Sequence, residues 1–133
     1  KSLFFTSKQY HVLYVEDNPV NYSVMEKFFQ RETEWGIQLH CAESAIQAWE
    51  MMLEHTYAAV LMDINLPDIN GIELTQRLKK LDGYQSIPVI AISAELIPEQ
   101  QSEIISEIFE DYIVKPVDFS ILCKSLQQYL GDE

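Results

Sequence analysis

An apolar run that ends in a carboxylate is the feature that most constrains how this chain folds. The run extends from Ala58 to Met62, five apolar residues without polar alternation, and Asp63 follows it. Such a run is typical of a central strand of a parallel sheet, which is buried on both faces. Turn-forming residues come next, namely Asn65, Pro67, Asp68, Asn70 and Gly71. Ligands bind beyond the carboxyl ends of strands in open α/β sheets, so Asp63 is a candidate site residue; an ordinary turn or capping Asp is the alternative.

The rest of the chain alternates predicted strands with predicted helices. Further apolar runs predict strands at Val12–Val15, Ile37–Cys41, Ile87–Ile92 and Tyr112–Val114. Capping residues and helical periodicity predict helices at 19–31, 45–55 and 72–81, from Pro98 onward, and from Phe119 to Tyr129. In the fourth helix, Ile104, Ile105 and Ile108 are expected on the inner face. This alternation predicts a doubly wound parallel α/β sheet. We expect the flavodoxin-like (βα)5 fold, in which the strand order is 2-1-3-4-5.

Length and composition indicate one domain of ordinary globular character. The 133 residues suit a domain at 11–130, flanked by a linker remnant at 1–10 and a tail at 131–133. No apolar run approaches the ~20 residues that span a membrane.

The net charge of -12 disfavours direct contact with nucleic acid or an anionic membrane and favours cations or a basic partner. Cys41 and Cys123 lack metal-ligand spacing, so free thiols and a cytoplasmic location are expected. The absence of an initiator Met predicts a fragment of a longer protein.

Polar residues follow four of the five predicted strands. The pair Glu16-Asp17 ends the first strand, Asp63 the third, Ser93 the fourth and Lys115 the fifth. In the predicted order the first and third strands are neighbours at the switch point, so the three carboxylates share one crevice. Two carboxylates ~4 Å apart repel by about 4 kcal/mol at an effective dielectric constant of about 20. The crevice therefore requires positive charge.

A small, hard cation and Lys115 would supply that charge. Mg²⁺ prefers oxygen ligands and tolerates a partial protein cage with room for water and a phosphoryl oxygen. The predicted crevice also offers a carboxylate nucleophile, Asp63, and a hydroxyl donor, Ser93. A nucleophile, a metal, a lysine and a hydroxyl together are typical of a phosphoryl-acceptor site.

The set Glu16-Asp17, Asp63, Ser93 and Lys115-Pro116 resembles the receiver domain of two-component response regulators, over about His11 to Leu130. The resemblance implies that Asp63 accepts the phosphoryl group from a phosphohistidine. It implies a Mg²⁺ site in which Asp17 binds directly, Glu16 mostly through water, and Asn65 through its main-chain carbonyl. It further implies that Ser93 and Lys115 hold the phosphoryl oxygens and that the Lys115–Pro116 peptide bond is cis.

Regulation and partners also follow from the resemblance alone. Tyr112 would be the aromatic switch that follows Ser93, while Asn65 and Glu95 would set the lifetime of the phosphoryl group. The runs 15–21 and 62–67 are similar to receivers of hybrid histidine kinases. The implied donor is a histidine kinase or a histidine phosphotransfer domain, and a homodimer is a further expectation. Such a domain catalyses its own phosphorylation and dephosphorylation without being an enzyme in the usual sense.

Two other functions compete with this interpretation. A phosphatase of the haloacid dehalogenase type also forms an aspartyl phosphate, but it needs a second Asp where this chain has Asn65. A degenerate receiver that serves only for docking would lack part of the set, which is intact here. The departures from the family pattern are Glu16 for the commoner Asp, Ser93 for the commoner Thr, and Ile108 where many receivers turn with Gly.

Overall fold

A computed structural model describes residues 9–96 and 99–130, with the side chain of Gln101 left out. Within those residues, five parallel strands form one sheet in the order β2-β1-β3-β4-β5, which confirms the predicted order. The strands are β1 (Tyr10–Val15), β2 (Ile37–Ala42), β3 (Ala59–Asp63), β4 (Val89–Ser93) and β5 (Asp111–Val114). β1 thus includes Tyr10, the last residue of the stretch expected to be a linker. The rest of that stretch, the predicted tail at 131–133 and the predicted start of the fourth helix at Pro98 lie outside the described residues, apart from Gln9.

Five α-helices connect and follow these strands in the described part of the chain. They are α1 (Pro19–Arg31), α2 (Ala45–Glu54), α3 (Gly71–Leu78), α4 (Ser102–Ile108) and α5 (Phe119–Leu130), with 3-10 turns at Thr33–Trp35 and Glu99–Gln101. The side chains of Asn18, Ser44 and Asp118 cap α1, α2 and α5, since each accepts a hydrogen bond from a backbone N–H in the first turn of its helix. No helix in the described ranges is long and apolar enough to cross a bilayer.

Alternate residues of each strand contribute to one of two apolar layers. Leu13 and Val15 of β1 pack into a core covered by α2, α3 and α4. Val12 and Tyr14, on the other face of the same strand, pack into a core covered by α1 and α5. Every residue of β3 is buried, as its uninterrupted apolar sequence predicts. The two layers cover the faces of the sheet, and the site residues lie at its carboxyl end, where the strands terminate.

Two helical details differ from the predictions. Ile104 is 45% exposed, so its placement on the inner face of the fourth helix is wrong. Adjacent helical positions point about 100° apart, and Ile105, which is 3% exposed, takes the core position. α3 ends at Leu78 rather than near Leu81. The N–H of Lys79 still bonds four residues back to Thr75, but those of Lys80 and Leu81 bond only three residues back, to Arg77 and Leu78.

The connection from α4 to β5 forms without glycine. α4 ends at Ile108, and the N–H of Glu110 donates to the carbonyl of Val89 at 2.9 Å. Only glycines have positive φ among the described residues, so this connection uses ordinary backbone conformations. Ile108 therefore occupies the position where many receivers have Gly without a strained turn.

Candidate functional site

Asp63 is the last residue of β3, and its side chain is almost fully buried at the carboxyl edge of the sheet. Its Oδ1 accepts a hydrogen bond from the N–H of Asn65 at 3.0 Å, and its Oδ2 accepts one from Lys115 Nζ at 3.2 Å. Burial, with a smaller contribution from the charge of Glu16, raises the pKa of Asp63 to about 6. Asp63 is therefore a more basic carboxylate than an exposed Asp.

Glu16 follows β1 and is even less exposed, at 1%. Its Oε1 accepts hydrogen bonds from Tyr14 Oη at 3.0 Å and from Lys115 Nζ at 2.9 Å, and its Oε2 accepts one from the N–H of Asn18 at 3.0 Å. Burial alone would raise the pKa of Glu16, but the hydrogen bonds from Lys115 and Asn18 outweigh it and hold the pKa below its ordinary value. Glu16 thus stays ionised beside Asp63.

The predicted acidic crevice is present in the structure. One carboxylate oxygen each from Glu16, Asp17 and Asp63 lies within 4.8 Å of the others, and Asp17 is exposed to solvent. Lys115 contacts two of these carboxylates, and their hydrogen bonds and charges raise its pKa despite the opposing effect of burial. Three negative charges therefore face one positive charge. An all-oxygen donor set with excess negative charge fits a hard divalent cation such as Mg²⁺.

The loop after Asp63 is folded back onto the end of β3. The N–H of Gly71 donates to the carbonyl of Ile64 at 2.8 Å, and a Cβ at position 71 would overlap the carbonyl oxygen of Asp63. Only glycine permits this close approach. The carboxylate of Asp68 accepts hydrogen bonds from the N–H groups of Ala45 and Ile46, each at 2.9 Å, which ties the loop to the start of α2.

Hydrogen bonds connect Ser93, Glu95 and Tyr112, which lie on the β4 side of Asp63, away from Glu16 and Asp17. Ser93 ends β4 one residue beyond Ile92, the register partner of Asp63, and is 1% exposed. Its Oγ accepts a hydrogen bond from the N–H of Glu95 at 3.2 Å, and Tyr112 Oη donates to the Glu95 carbonyl at 2.9 Å. The geometry brings the residues predicted as a switch into one hydrogen-bonded chain. The Lys115–Pro116 bond is cis, as the family resemblance implies.

A family model described as "Response regulator receiver domain" matches residues 12–127. The chain belongs to this family. The polar-differentiation response regulator DivK of Brucella anthropi is 31% identical over 121 residues, 91% of this chain and 96% of that protein. A receiver domain of a Pseudomonas aeruginosa sensor histidine kinase, solved with magnesium in its active-site cleft, has a TM-score of 0.81 at 28% identity, covering 93% of this chain and 99% of that one. A CheY-like receiver domain from Methylobacillus flagellatus has a TM-score of 0.78 at 27% identity, covering 91% and 98%.

Membership in the receiver family identifies a domain of two-component signalling, whose members take phosphoryl groups from histidine kinases or phosphotransfer proteins. The acidic crevice of this receiver domain fits a phosphoacceptor site. The family match also decides against the phosphatase alternative, whose second Asp is replaced by Asn65.

Sequence reasoning missed Tyr14 as a member of the site. Tyr14 lies in an apolar predicted strand, yet a buried tyrosine requires a partner for its hydroxyl, and residues 14 and 16 lie on the same face of an extended chain. That spacing is the signal that could have found the Tyr14–Glu16 hydrogen bond. Burial and the charge of Glu16 raise the pKa of Tyr14 far above its ordinary value, so the phenol remains a hydrogen-bond donor.

Proposed function

We propose that this receiver domain accepts a phosphoryl group on Asp63 from a phosphohistidine, in a Mg²⁺-dependent reaction, and that phosphorylation changes its surface. The observation that carries the proposal is the environment of Asp63. It is a buried carboxylate with a pKa near 6, held between Lys115 at 3.2 Å and an acidic pair at the carboxyl edge of the sheet. A carboxylate so placed is nucleophilic and has a cation beside it to neutralise the incoming group.

In the proposed transfer, an Asp63 carboxylate oxygen forms a bond to phosphorus while the P–N bond of the phosphohistidine breaks. The electron pair of that bond stays on the imidazole nitrogen. Lys115 Nζ, already within 3.2 Å of Asp63, turns to a phosphoryl oxygen and neutralises part of its charge. The Ser93 hydroxyl, which now accepts from Glu95, donates its hydrogen to another phosphoryl oxygen.

The proposed metal ligands are the carboxylates of Asp17 and Asp63 and the main-chain carbonyl of Asn65, with Glu16 binding mostly through water. Both oxygens of Glu16 already accept hydrogen bonds from protein groups, which supports an indirect role for this residue. Mg²⁺, when bound, would neutralise charge on the phosphoryl oxygens as the bond to Asp63 forms. The relative from Pseudomonas aeruginosa, with magnesium in its cleft, supports the choice of metal.

We further propose that Ser93 and Tyr112 transmit phosphorylation to the surface and that Asn65 and Glu95 set its lifetime. The Ser93–Glu95–Tyr112 hydrogen bonds support a linked movement of β4 and β5. Similarity to a sensor histidine kinase receiver supports a hybrid kinase or a multidomain response regulator as the parent protein, acting in the cytoplasm. Homodimer formation remains part of the same proposal.

Intact-protein mass spectrometry after incubation with a small phosphodonor, such as phosphoramidate, tests the proposal. With Mg²⁺ the parent chain should gain one phosphoryl group, and in EDTA it should gain none. Asp63→Asn should abolish the gain, because an amide is not a nucleophile. Asp68→Asn is the matched control in the same loop and should still be labelled. If Asp63→Asn gains one phosphoryl group under the same conditions, Asp63 is not the acceptor.

A further inference from the structure

We propose that Tyr14 is a positioning residue of the phosphoryl-acceptor site. When Lys115 turns from Glu16 to the phosphoryl group, the Tyr14 hydroxyl continues to donate a hydrogen bond to the Glu16 carboxylate. The inference rests on the proposed function and extends it to a residue outside the family pattern used above. Tyr14 does not contact the reacting atoms. It acts through Glu16.

One carboxylate oxygen of Glu16 has two donors. Tyr14 Oη lies 3.0 Å from Oε1, and Lys115 Nζ lies 2.9 Å from the same atom. Tyr14 is 1% exposed and Glu16 is 1% exposed, so solvent has almost no access to either group. The other oxygen of Glu16, Oε2, depends on the N–H of Asn18 at 3.0 Å.

Phosphorylation would change the donors available to Glu16, because Glu16 and Asp63 share the ammonium group of Lys115. It lies 2.9 Å from Glu16 and 3.2 Å from Asp63, so a phosphoryl group on Asp63 competes with Glu16 for it. When Lys115 turns to a phosphoryl oxygen, Oε1 of Glu16 loses its charged donor. A buried carboxylate oxygen without a donor is costly in free energy. Among the described residues, the Tyr14 hydroxyl is then the protein donor that remains on Oε1.

The packing around Lys115 leaves space for such a movement. Lys115 and Tyr14 both line a cavity of about 200 Å³ between α1 and the segment that follows β5. Asn21 and Pro116 also line it. The side chain of Lys115 is 18% exposed and has room to turn, whereas Tyr14, which also lines the cavity, is only 1% exposed and packs in the core between the sheet, α1 and α5. Tyr14 is therefore the more constrained of the two donors to Oε1.

The chain supplies a matched control for the Tyr14 hydroxyl. Tyr22 Oη donates to Glu26 Oε2 at 3.1 Å. This second tyrosine–glutamate hydrogen bond lies on α1, outside the acidic crevice. The rings of Tyr22 and Tyr14 are 6.4 Å apart, so both substitutions remove a hydroxyl from the same region. Tyr22→Phe therefore reports the structural cost of losing such a bond without the proposed role.

The test compares Tyr14→Phe, Tyr22→Phe and the parent in two binding measurements. Mg²⁺ affinity is measured in the absence of a phosphoryl mimic, and beryllofluoride affinity is measured at saturating Mg²⁺. Tyr14→Phe should change the Mg²⁺ affinity less than about twofold, because Lys115 still occupies Oε1 in that state. It should weaken beryllofluoride binding by about tenfold, the lower end of the loss expected for a hydrogen bond to a charged group. Tyr22→Phe should leave both affinities unchanged.

A second readout separates an action through Glu16 from general damage. In a Glu16→Gln background, Tyr14→Phe should weaken beryllofluoride binding no further, since the amide needs no donor to stabilise a charge. Equal beryllofluoride affinities for Tyr14→Phe and Tyr22→Phe, with the parent binding normally, overturn the role of Tyr14 alone. Failure of the parent to bind beryllofluoride with Mg²⁺ overturns the proposed function and this inference with it.

Discussion

Replacement of Asp63 by Asn should stabilise the metal-free protein. Burial and the neighbouring Glu16 raise the pKa of Asp63 from 3.8 to about 6, so its ionised form costs more free energy in the folded than in the unfolded state. An amide at position 63 is neutral and can still accept the hydrogen bond from the N–H of Asn65. The variant therefore removes the cost of ionisation while keeping the local backbone contact.

The size of the effect follows from the pKa. A rise from 3.8 to about 6 corresponds to about 3 kcal/mol at a pH above both values, because each pKa unit is about 1.4 kcal/mol. That pKa already includes the contact between Lys115 and Asp63 at 3.2 Å, and part of the gain is offset instead because the amide would bury an NH2 group beside the ammonium group of Lys115. We expect a net gain of about 1 to 2 kcal/mol, which raises the melting temperature by several degrees in a domain of this size.

The stability difference between Asp63→Asn and the parent should depend on pH. A carboxyl group with a raised folded-state pKa binds its proton more tightly when folded, so its contribution to stability is lost as the pH rises from 3.8 through about 6. The difference in free energy of unfolding between Asp63→Asn and the parent should therefore reach its maximum above about pH 7 and fall to roughly half of it near pH 5.

Thermal unfolding followed by circular dichroism in EDTA, at both pH values, measures these differences. Asp68→Asn is the control, because the pKa of Asp68 is shifted in the opposite direction. Backbone N–H groups of Ala45 and Ile46 lower that pKa, so the replacement of Asp68 should not stabilise the protein. The reasoning is refuted if Asp63→Asn melts at or below the parent at the higher pH.

Three further predictions concern the metal, the switch and the lifetime. Millimolar Mg²⁺ should raise the melting temperature of the parent, since a ligand of the folded state stabilises it, and Asp17→Asn should remove most of that gain; equal gains would exclude Asp17 as a ligand. Beryllofluoride with Mg²⁺ should shift the NMR signals of Ser93 and Tyr112; shifts confined to the loop after Asp63 would contradict the switch. Small side chains at both Asn65 and Glu95 should change the decay rate of the phosphorylated form but not its formation, and an unchanged decay rate would count against the lifetime role.

The sheet and most of the site could be predicted because their signals are local in sequence. Uninterrupted apolar runs such as 58–62 mark buried parallel strands, and each ends in the polar residue that it positions. Strand order then brings the ends of β1 and β3 together, which places Glu16, Asp17 and Asp63 in one crevice. The crevice thus follows from periodicity and topology.

The remaining features depend on tertiary contacts that periodicity does not encode. Ile104 and Ile105 are adjacent and equally apolar, so only the packing of α4 decides which of them is buried. The sequence around Asp68 predicts an ordinary turn residue, but its carboxylate accepts hydrogen bonds from the start of α2, 22 and 23 positions away in the chain. The ammonium group of Lys115 contacts both Glu16 and Asp63, which lie at the ends of other strands and far away in the sequence, so no local pattern encodes the sharing.

The most direct test of the central claim locates the phosphoryl group chemically. An aspartyl phosphate is an acyl phosphate, which borohydride reduces to homoserine, whereas phosphoserine, phosphothreonine and phosphotyrosine are not converted in this way. The receiver domain should be phosphorylated in the presence of Mg²⁺, reduced, digested and sequenced by tandem mass spectrometry. The account predicts homoserine at position 63 in the phosphorylated sample and Asp63 unchanged in the EDTA control. Homoserine at another aspartate, with Asp63 intact, would contradict it.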